Sequence, residues 1–600
     1  MSATPAIPAR STALSVKSYL PPHLSARPAL VRMIDAALGL SRLAAGYERL
    51  PAAQDPRAFA ELALAALGVS VAAAPAELAR VPGMGPCLVV ANHPHGGLDG
   101  LALVSLLLQV RRDVKILANH FLAGFSELRP LFLEVNPFGG DDAARRNPHA
   151  VRAAHRWLGD GGLVLMFPGG EVSSLDLATR EVIDPPWQHG AARLVRKSGA
   201  SVVPVHLDGR NSALFQLGGL VHAKLRTALL VREMLKPKRE RLGVRVGQPI
   251  AAADLATLGC DAAVTDYLRC RTYLLREAGR AATAPTRQPR LAPLAAPVDP
   301  GTLAADVAAL PGSQRLIESG KFSVWYANAA GLPAVLPELG RLRELSFRAV
   351  GEGTGRAVDL DEYDAHYTHL FVWDASVSAV VGGYRLGDAN AILATHGARG
   401  LYVQSLFRLS ARLQHELRSG LELGRSFVRP EYQKSFSPLL LLWKGIAAYV
   451  VRHPRYRYLF GPVSISNDYH PASQRLLVQF LARHHYAHEH AGEVKPRNPP
   501  KRRRREEAAL ATIGDPDSPL LAGLLQTIEN DGKGVPVLLR QYLKLGGKIL
   551  GFNVDPAFSH VVDCLLLVDL PATRREVLVK YMGRDGAAEY LAACGRGAAA

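Results

Sequence analysis

Cysteine is scarce in this 600-residue chain: there are five, at Cys87, Cys260, Cys270, Cys564 and Cys594, with no CxxC pair. An odd, scattered set excludes a disulfide framework or a zinc knuckle as the organising device and fits a reducing compartment. Long apolar runs are also missing. A spanning helix needs roughly 18 uncharged apolar residues. Residues 62–74 are flanked by Glu61 and Glu77, and residues 436–451 are interrupted by Lys444. The opening MSATPAIPARSTALSVKSYLPP has prolines and charges where a secretory signal needs an apolar core. No internal repeat marks a solenoid. Acidic residues are in deficit, 53 against 71 Lys plus Arg, for a net charge of +18. That excess suits an anionic partner: nucleic acid, an anionic membrane or an acidic protein.

What is present is globular. The chain is 48% hydrophobic and 21% charged, which excludes wholesale disorder and fibrous classes. At about 100–200 residues per domain, several domains are expected. Residues 1–85 read as a helical, membrane-associating segment: MIDAALGLSRLAAGYERL places apolar residues at helical spacing with arginines opposite. From residue 86, β-type runs such as GPCLVVANH, GLVLMFP and VVPVHLDG alternate with helical stretches. That alternation predicts an α/β domain with a largely parallel sheet over 86–278. Residues 279–312 begin with an Ala/Pro-rich, aperiodic stretch and read as a linker. A different, mixed α/β domain is expected over 313–590, with HLFVWD, AVVGGYRLG, ELGRSFV and YRYLFGPVSI as strands. A basic low-complexity insertion, 491–510, interrupts it. The fold class is therefore α/β, in two unlike domains.

Asn92-His93-Pro94-His95-Gly96-Gly97-Leu98-Asp99 follows directly on the first of these strands. A neutral imidazole can take a proton from a hydroxyl, and a carboxylate can fix its tautomer. The bland alternative is a strand-end histidine capping a turn. An HxHxD metal pattern would need an acid at position 97, which is Gly97, so no metal is expected. A second block, Phe167-Pro168-Gly169-Gly170-Glu171-Val172-Ser173-Ser174, also ends a strand. With the later VVPV run, this ordered set resembles the glycerolipid acyltransferase superfamily, over about 86–250. The five residues between His93 and Asp99 are similar to the hemolysin-like branch. The resemblance implies His93 as base, with His95 as the alternative, Asp99 as its orienter, and Gly170 and Glu171 at the acceptor. The FPGGEVSS block lacks the family's arginine. That departure implies an acceptor without a phosphate there, such as a β-hydroxy lipid amide.

The second half holds Arg341, Arg343, Glu344 and Arg348, then Asp359, Asp361 and Asp364, then Tyr384-Arg385-Leu386, then Glu422-Leu423-Gly424-Arg425. Singly these read as helix starts, turns and ion-pair partners. As a set they resemble the acyl-carrier-protein-dependent N-acyltransferases of the GNAT superfamily. PVLLRQYLKLGG and VVDCLLLVDL are similar to the tail of its ornithine enzymes. N-acylation needs carboxylates to hold an ammonium and accept its proton, and arginines to clamp an anion. The resemblance implies proton handling for Glu422, and substrate binding or bracing for Asp361, Asp364, Arg385 and Arg425. A purely structural Glu422–Arg425 ion pair stays open.

Both patterns together resemble the bifunctional ornithine lipid synthases. The implied reaction is N-acylation of ornithine from 3-hydroxyacyl carrier protein by the second domain, then O-acylation of the lyso-ornithine lipid by the first. Tethering the two raises the intermediate's local concentration. No cofactor is implied beyond acyl carrier protein as donor. The implied location is cytoplasmic, peripheral at the inner face of the cytoplasmic membrane. Lys224, Arg226, Arg232, Lys236, Lys238, Arg239, Arg241 and Arg245, interleaved with apolar residues, suit an anionic membrane surface, or else a solvated helix face. Lys501 to Arg505 could touch phosphates, but no zinc finger, RNP signature or convincing helix-turn-helix accompanies them, and nucleic acid is not expected as a partner. Two other readings stay open: a phospholipid-remodelling acyltransferase joined to an acyltransferase for another amine, and a non-enzymatic basic binding protein.

Overall fold

The computed structural model describes residues 14–15, 17, 22–119, 124–135, 140–221, 223–236, 240–278, 291–434, 437–500, 507–529 and 531–597. Two compact units divide the chain, one of Met1–Arg280, Ala511–Ile513 and Gln526–Asn530, the other of Ala281–Leu510, Gly514–Leu525 and Asp531–Ala600. Among the described residues no helix is long and apolar enough to cross a membrane.

The strands of the first unit are β1 (Val69–Ala73), β2 (Cys87–Ala91), β3 (Val114–Asn119), β4 (Phe132–Val135), β5 (Leu163–Met166), the small hairpin β6 (Ser174–Asp176) and β7 (Glu181–Ile183), β8 (Ser201–Leu207) and β9 (Glu240–Val246). Seven of them form one sheet in the order β1-β9-β8-β2-β5-β3-β4. Its pairs are parallel except β8 with β9. All five residues of β2 are buried, as an inner strand covered on both faces requires. The chain runs from β2 to one side of it for β3 and β4, and to the other for β8. The carboxyl end of β2 therefore lies where strand order switches, the usual place for a site in an α/β sheet.

Two sequence boundaries move. Val69–Ala73, expected to be helical, is an edge strand parallel to β9. Gly68, at φ +70°, ends the preceding helix, and the β-branched Val69 and Val71 favour extended chain. Tyr47, Phe59 and Leu64 share one core with Val89, Leu103, Leu165 and Val203, so the residues before 86 belong to this unit.

The second unit contains β10 (Arg315–Ser319), β11 (Phe322–Asn328), β12 (Thr368–Asp374), β13 (Ala379–Asp388), β14 (Phe407–Leu409), β15 (Gly420–Val428), β16 (Tyr458–Ile465), β17 (Val494–Pro496), β18 (Lys548–Asp555) and β19 (Val561–Asp569). Eight form a mixed sheet, β10-β11-β12-β13-β15-β16-β19-β18. Only β15 and β16 pair in parallel within it, over Gly420–Glu422 against Tyr458–Phe460, after which their ladder stops. Gly461 is required at the divergence: at φ +154° its Cβ would meet the Leu423 carbonyl oxygen at 2.0 Å. Pro462 follows and has no N–H to offer.

The expected linker is shorter than its composition implies. Ala292 N donates to Gly355 O (2.8 Å) and Ala295 N to Ala357 O (3.1 Å). The helix Pro300–Ala308 then buries Leu303 and Val307 in the second unit's core. Residues 279–290 lie outside the described residues. Likewise β17, at the start of the expected insertion, pairs with β14 and belongs to the fold. Lys501 to Arg505, Lys238 and Arg239 lie outside the described residues.

Candidate active sites

β2 delivers Asn92 to the switch point. Asn92 Nδ2 donates to Leu207 O (2.9 Å) and its Oδ1 accepts from Leu207 N (2.7 Å), lacing the ends of β2 and β8 together. The chain then turns through Gly96, at φ +78°, into the helix Gly97–Val110. Asp99 stands in the first turn of that helix, where the dipole favours an anion. Its Oδ2 accepts the backbone N–H groups of His95 (2.8 Å) and Gly96 (3.0 Å). The same oxygen lies 2.9 Å from His93 Nδ1. Asp99 is fully buried and the His93 side chain 18% exposed, with its ring stacked 4.2 Å from Phe167. The contact is close but not aligned as a hydrogen bond; Nδ1 is the ring nitrogen beside the carboxylate, which leaves Nε2, across the ring, as the one to take a proton. The His95 ring goes elsewhere: its Nε2 lies 3.0 Å from Asp208 O. Tertiary geometry thus separates two histidines that spacing alone left as alternatives.

The FPGGEVSS segment closes over this turn, with Ser173 N donating to His93 O (2.8 Å). Asp184 fastens the two segments. Its Oδ1 accepts from His93 N (3.1 Å) and Ser173 Oγ (2.5 Å), and its Oδ2 from Trp187 Nε1 (2.9 Å). Gly170 and Glu171 lie on the exposed side of the segment. Asp184→Asn keeps the shape but sets an N–H₂ group against N–H and O–H donors. A cost of about 1–3 kcal/mol is expected. Calorimetry of the full chain should show the first unit's transition lowered, with a parallel loss of acyl transfer; an unmoved transition would remove Asp184 from this role.

In the second unit three aspartates and three arginines interlock. Arg425 Nε lies 2.9 Å from Asp359 Oδ2 and its Nη2 3.0 Å from Asp361 Oδ2. Arg385 Nη1 reaches Asp361 Oδ1 (2.5 Å) and Asp364 Oδ1 (3.4 Å), and Arg343 Nη1 reaches Asp364 Oδ1 (2.7 Å). Burial alone would raise the Asp364 pKa, but Arg343 and Arg385 outweigh it and hold the carboxyl well below its usual range. Arg343 Nη2 also meets His369 Nδ1 at 3.2 Å, and burial with that positive charge lowers His369 to about 4. Asp361, Asp364, Arg385 and Arg425 are thus engaged with one another, while Nε and Nη2 of Arg385 remain without a hydrogen-bond partner among the described residues.

Glu422 is not paired with Arg425. Tyr367 OH donates to Glu422 Oε2 (2.5 Å) and Val403 N to Oε1 (2.7 Å). Burial raises Glu422 to about 7, against the lowering effect of these hydrogen bonds. Residues three apart on a regular strand face opposite sides. Here a bulge sets Arg425 and Ser426 against Tyr384 alone, with Arg425 at φ +50°. The bulge re-aims the side chain, and the guanidinium lies 4.6 Å from the Tyr402 ring, next to Val403.

Comparison with known proteins matches each unit. A family model described as Acyltransferase matches residues 47–282, and one described as Acetyltransferase (GNAT) domain matches residues 342–444. The chain carries two acyltransferase domains. The first match begins upstream of residue 86, in keeping with the shared core. The chain is 40% identical over 164 residues to a glycine N(alpha)-acyltransferase of Phocaeicola vulgatus, covering 25% of this chain and 50% of that protein. It is 32% identical over 180 residues to a lyso-glycine lipid O-acyltransferase of the same organism, covering 29% and 62%. It is 33% identical over 150 residues to an L-ornithine N(alpha)-acyltransferase of Agrobacterium fabrum, covering 24% and 48%. The chain therefore spans about half the length of the curated relatives it matches.

Several residues of the two acyltransferase domains were not legible in the sequence. Asp184 is 91 residues from His93, and Tyr367 is 55 from Glu422. The GNAT domain also gathers buried acids from distant segments. Burial raises Asp563 to about 7, with Asp555 adding to it. Burial raises Glu352 to about 8, with Asp563 and Asp468 adding to it. Asp563 accepts from Ser464 Oγ (2.9 Å), and both Asp555 and Asp563 feel the charge of Arg425. No periodicity or spacing signals such a group.

Proposed function

We propose that the chain makes a doubly acylated amino-acid lipid in two steps, with ornithine as the amino acid. In the first, the GNAT domain transfers a 3-hydroxyacyl group from acyl carrier protein to the α-amine. The amine nitrogen attacks the thioester carbonyl, the C–S bond breaks, and the carrier thiol leaves. Glu422 takes the ammonium proton, for which a pKa near neutrality is suited. The divergence of β15 from β16 offers backbone groups to the amide-bearing arm of the donor. In the second step the 3-hydroxyl attacks another acyl thioester. His93 Nε2 takes the hydroxyl proton and returns it to the leaving thiol.

What supports this reading is that one chain holds two clusters whose chemistry differs in kind. One is an imidazole on a buried carboxylate, suited to a hydroxyl, and the other is a buried carboxyl of raised pKa, suited to an amine. The buried acids Glu352, Asp555 and Asp563 favour a diamino acid, because a second ammonium beside them would offset the burial that holds their pKa values up and favour their charged forms. The glycine-named relatives favour a second reading, in which the acceptor is glycine. Acidic acyl carrier protein as partner and peripheral contact with an anionic membrane fit the net charge of +18. Mass spectrometry of lipids from cells expressing the chain tests the proposal. A phosphate-free lipid containing ornithine, one amide-linked and one ester-linked chain is expected. Glycine in its place would select the second reading, and no new amino-acid lipid would sink both.

A further inference from the structure

A cavity of about 330 Å³ opens beside the histidine site of the first domain. Asn92 and Ser173 form part of its wall, one bonded to His93 through the chain and the other by its N–H to the His93 carbonyl. Its basic side chains come from elsewhere: Arg245 from β9, Arg276 from beyond the helix Asp261–Leu274, and the imidazole of His206 from β8. Both arginines already carry ion pairs, each at 3.3 Å or longer. Arg276 Nη1 lies 3.4 Å from Glu181 Oε2 and Nη2 3.4 Å from Glu277 Oε1, while its Nε is buried with no hydrogen-bond partner among the described residues. Arg245 Nη1 lies 3.3 Å from Glu77 Oε1, whose other oxygen accepts from Val246 N (2.9 Å). His206 is 4% exposed, and its Nδ1 lies 3.3 Å from Asp208 Oδ1 without a hydrogen bond. These distances are at the long edge of hydrogen-bonding range, and a guanidinium has five donors to satisfy. Asp208 is the one acid in the cavity wall, and its side chain is half exposed.

We propose that this cavity is an anion subsite in which Arg276 and Arg245 hold the α-carboxylate of the hydroxyl-bearing acceptor. The inference rests on the two-step reading above. N-acylation removes the α-ammonium but leaves the carboxylate, only a few bonds from the 3-hydroxyl that must reach His93. Planar guanidinium donors match a carboxylate. The FPGGEVSS segment contributes Ser173 to the wall but no cation, so the arginines from β9 and from the turn after the far helix supply the charge that the segment lacks. An acyl donor's phosphodiester is the competing anion, and kinetics separate the two.

The full chain is assayed for O-acyl transfer from acyl carrier protein to N-(3-hydroxyacyl)ornithine and to its methyl ester. Losing a charge-assisted contact is expected to raise the acceptor KM about tenfold to a hundredfold. Wild type should show that rise on going from acid to ester. Arg276→Gln should show it with the acid, lose the discrimination against the ester, and keep the donor KM; Arg276→Lys should recover part. Equal KM for acid and ester in wild type overturns the subsite while leaving the two-step reading intact. A raised donor KM in Arg276→Gln overturns it in favour of the phosphodiester. Wild type inert toward both acceptors sinks the two-step reading and the subsite with it. If Arg276→Gln does not fold, the wild-type comparison of acid with ester decides alone.

Discussion

His93→Ala is expected to abolish O-acyl transfer and to leave N-acyl transfer at the wild-type rate, so that the mono-acylated lipid accumulates. Among the described residues the imidazole is the only group in contact with Asp99 Oδ2 that can both take and return a proton, since the other contacts are backbone N–H groups. Removing a positioned general base costs typically 10²–10⁴-fold. Here the loss falls on a hydroxyl of high pKa that has no other activation. The side chain is partly exposed and stacks on one face of Phe167, so its removal leaves the backbone contacts of the turn in place. Lipid profiles of cells expressing the variant check this. Normal amounts of the doubly acylated product would show that His93 is not the base.

Glu422→Gln should remove both products at once, because the second step consumes the product of the first. Gln can still accept the Val403 N–H and pair with Tyr367, so folding is expected to persist. What is lost is the proton acceptor, and N-acyl transfer should fall by about 10²–10⁴-fold. O-acylation of supplied lyso-lipid should be untouched. The pH dependence has a definite sign. Burial raises Glu422 from 4.5 to about 7, so the carboxylate form, and with it N-acyl transfer by the wild type, should rise as pH passes through about 7. For folding the same shift acts oppositely. Stability from the buried neutral form is fully present below the unfolded pKa and is lost as pH rises through the folded one. Glu422→Gln should therefore flatten the stability profile between about pH 4.5 and 7. An N-acyl transfer rate in Glu422→Gln equal to wild type would exclude the proton-handling role.

Much of this protein is local and was readable from its residues. Uninterrupted apolar runs such as CLVVA at 87–91 announce inner parallel strands. The NHPHGGLD and ELGR blocks sit at strand ends or on strands, where short-range spacing sets which residue types share a turn. The split into two unlike α/β domains, and the two acyltransferase blocks they carry, followed from those patterns. Where a local rule was ambiguous, the reading slipped: residues 69–73 after an alanine-rich helix looked helical, and 291–308 looked like linker because Ala and Pro carry little pattern.

Tertiary structure alone decided which groups meet. His93 rather than His95 reaches Asp99 because the Gly96 turn points one ring at the helix start and the other at Asp208. A one-residue bulge, invisible as a pattern, turns Arg425 toward the Tyr402 ring and commits it to Asp359 and Asp361, while Glu422 is taken by Tyr367 and Val403 N. Asp184 comes to the first site from the loop after β7, Arg245 and Arg276 line the cavity beside it from β9 and from the turn after the helix Asp261–Leu274, and Glu352, Asp555 and Asp563 come together in the second unit from three segments. The physical reason is the same in each case. Periodicity encodes which face of an element is buried, whereas strand register and long-range packing decide which side chain stands opposite it, and those depend on the whole folded chain.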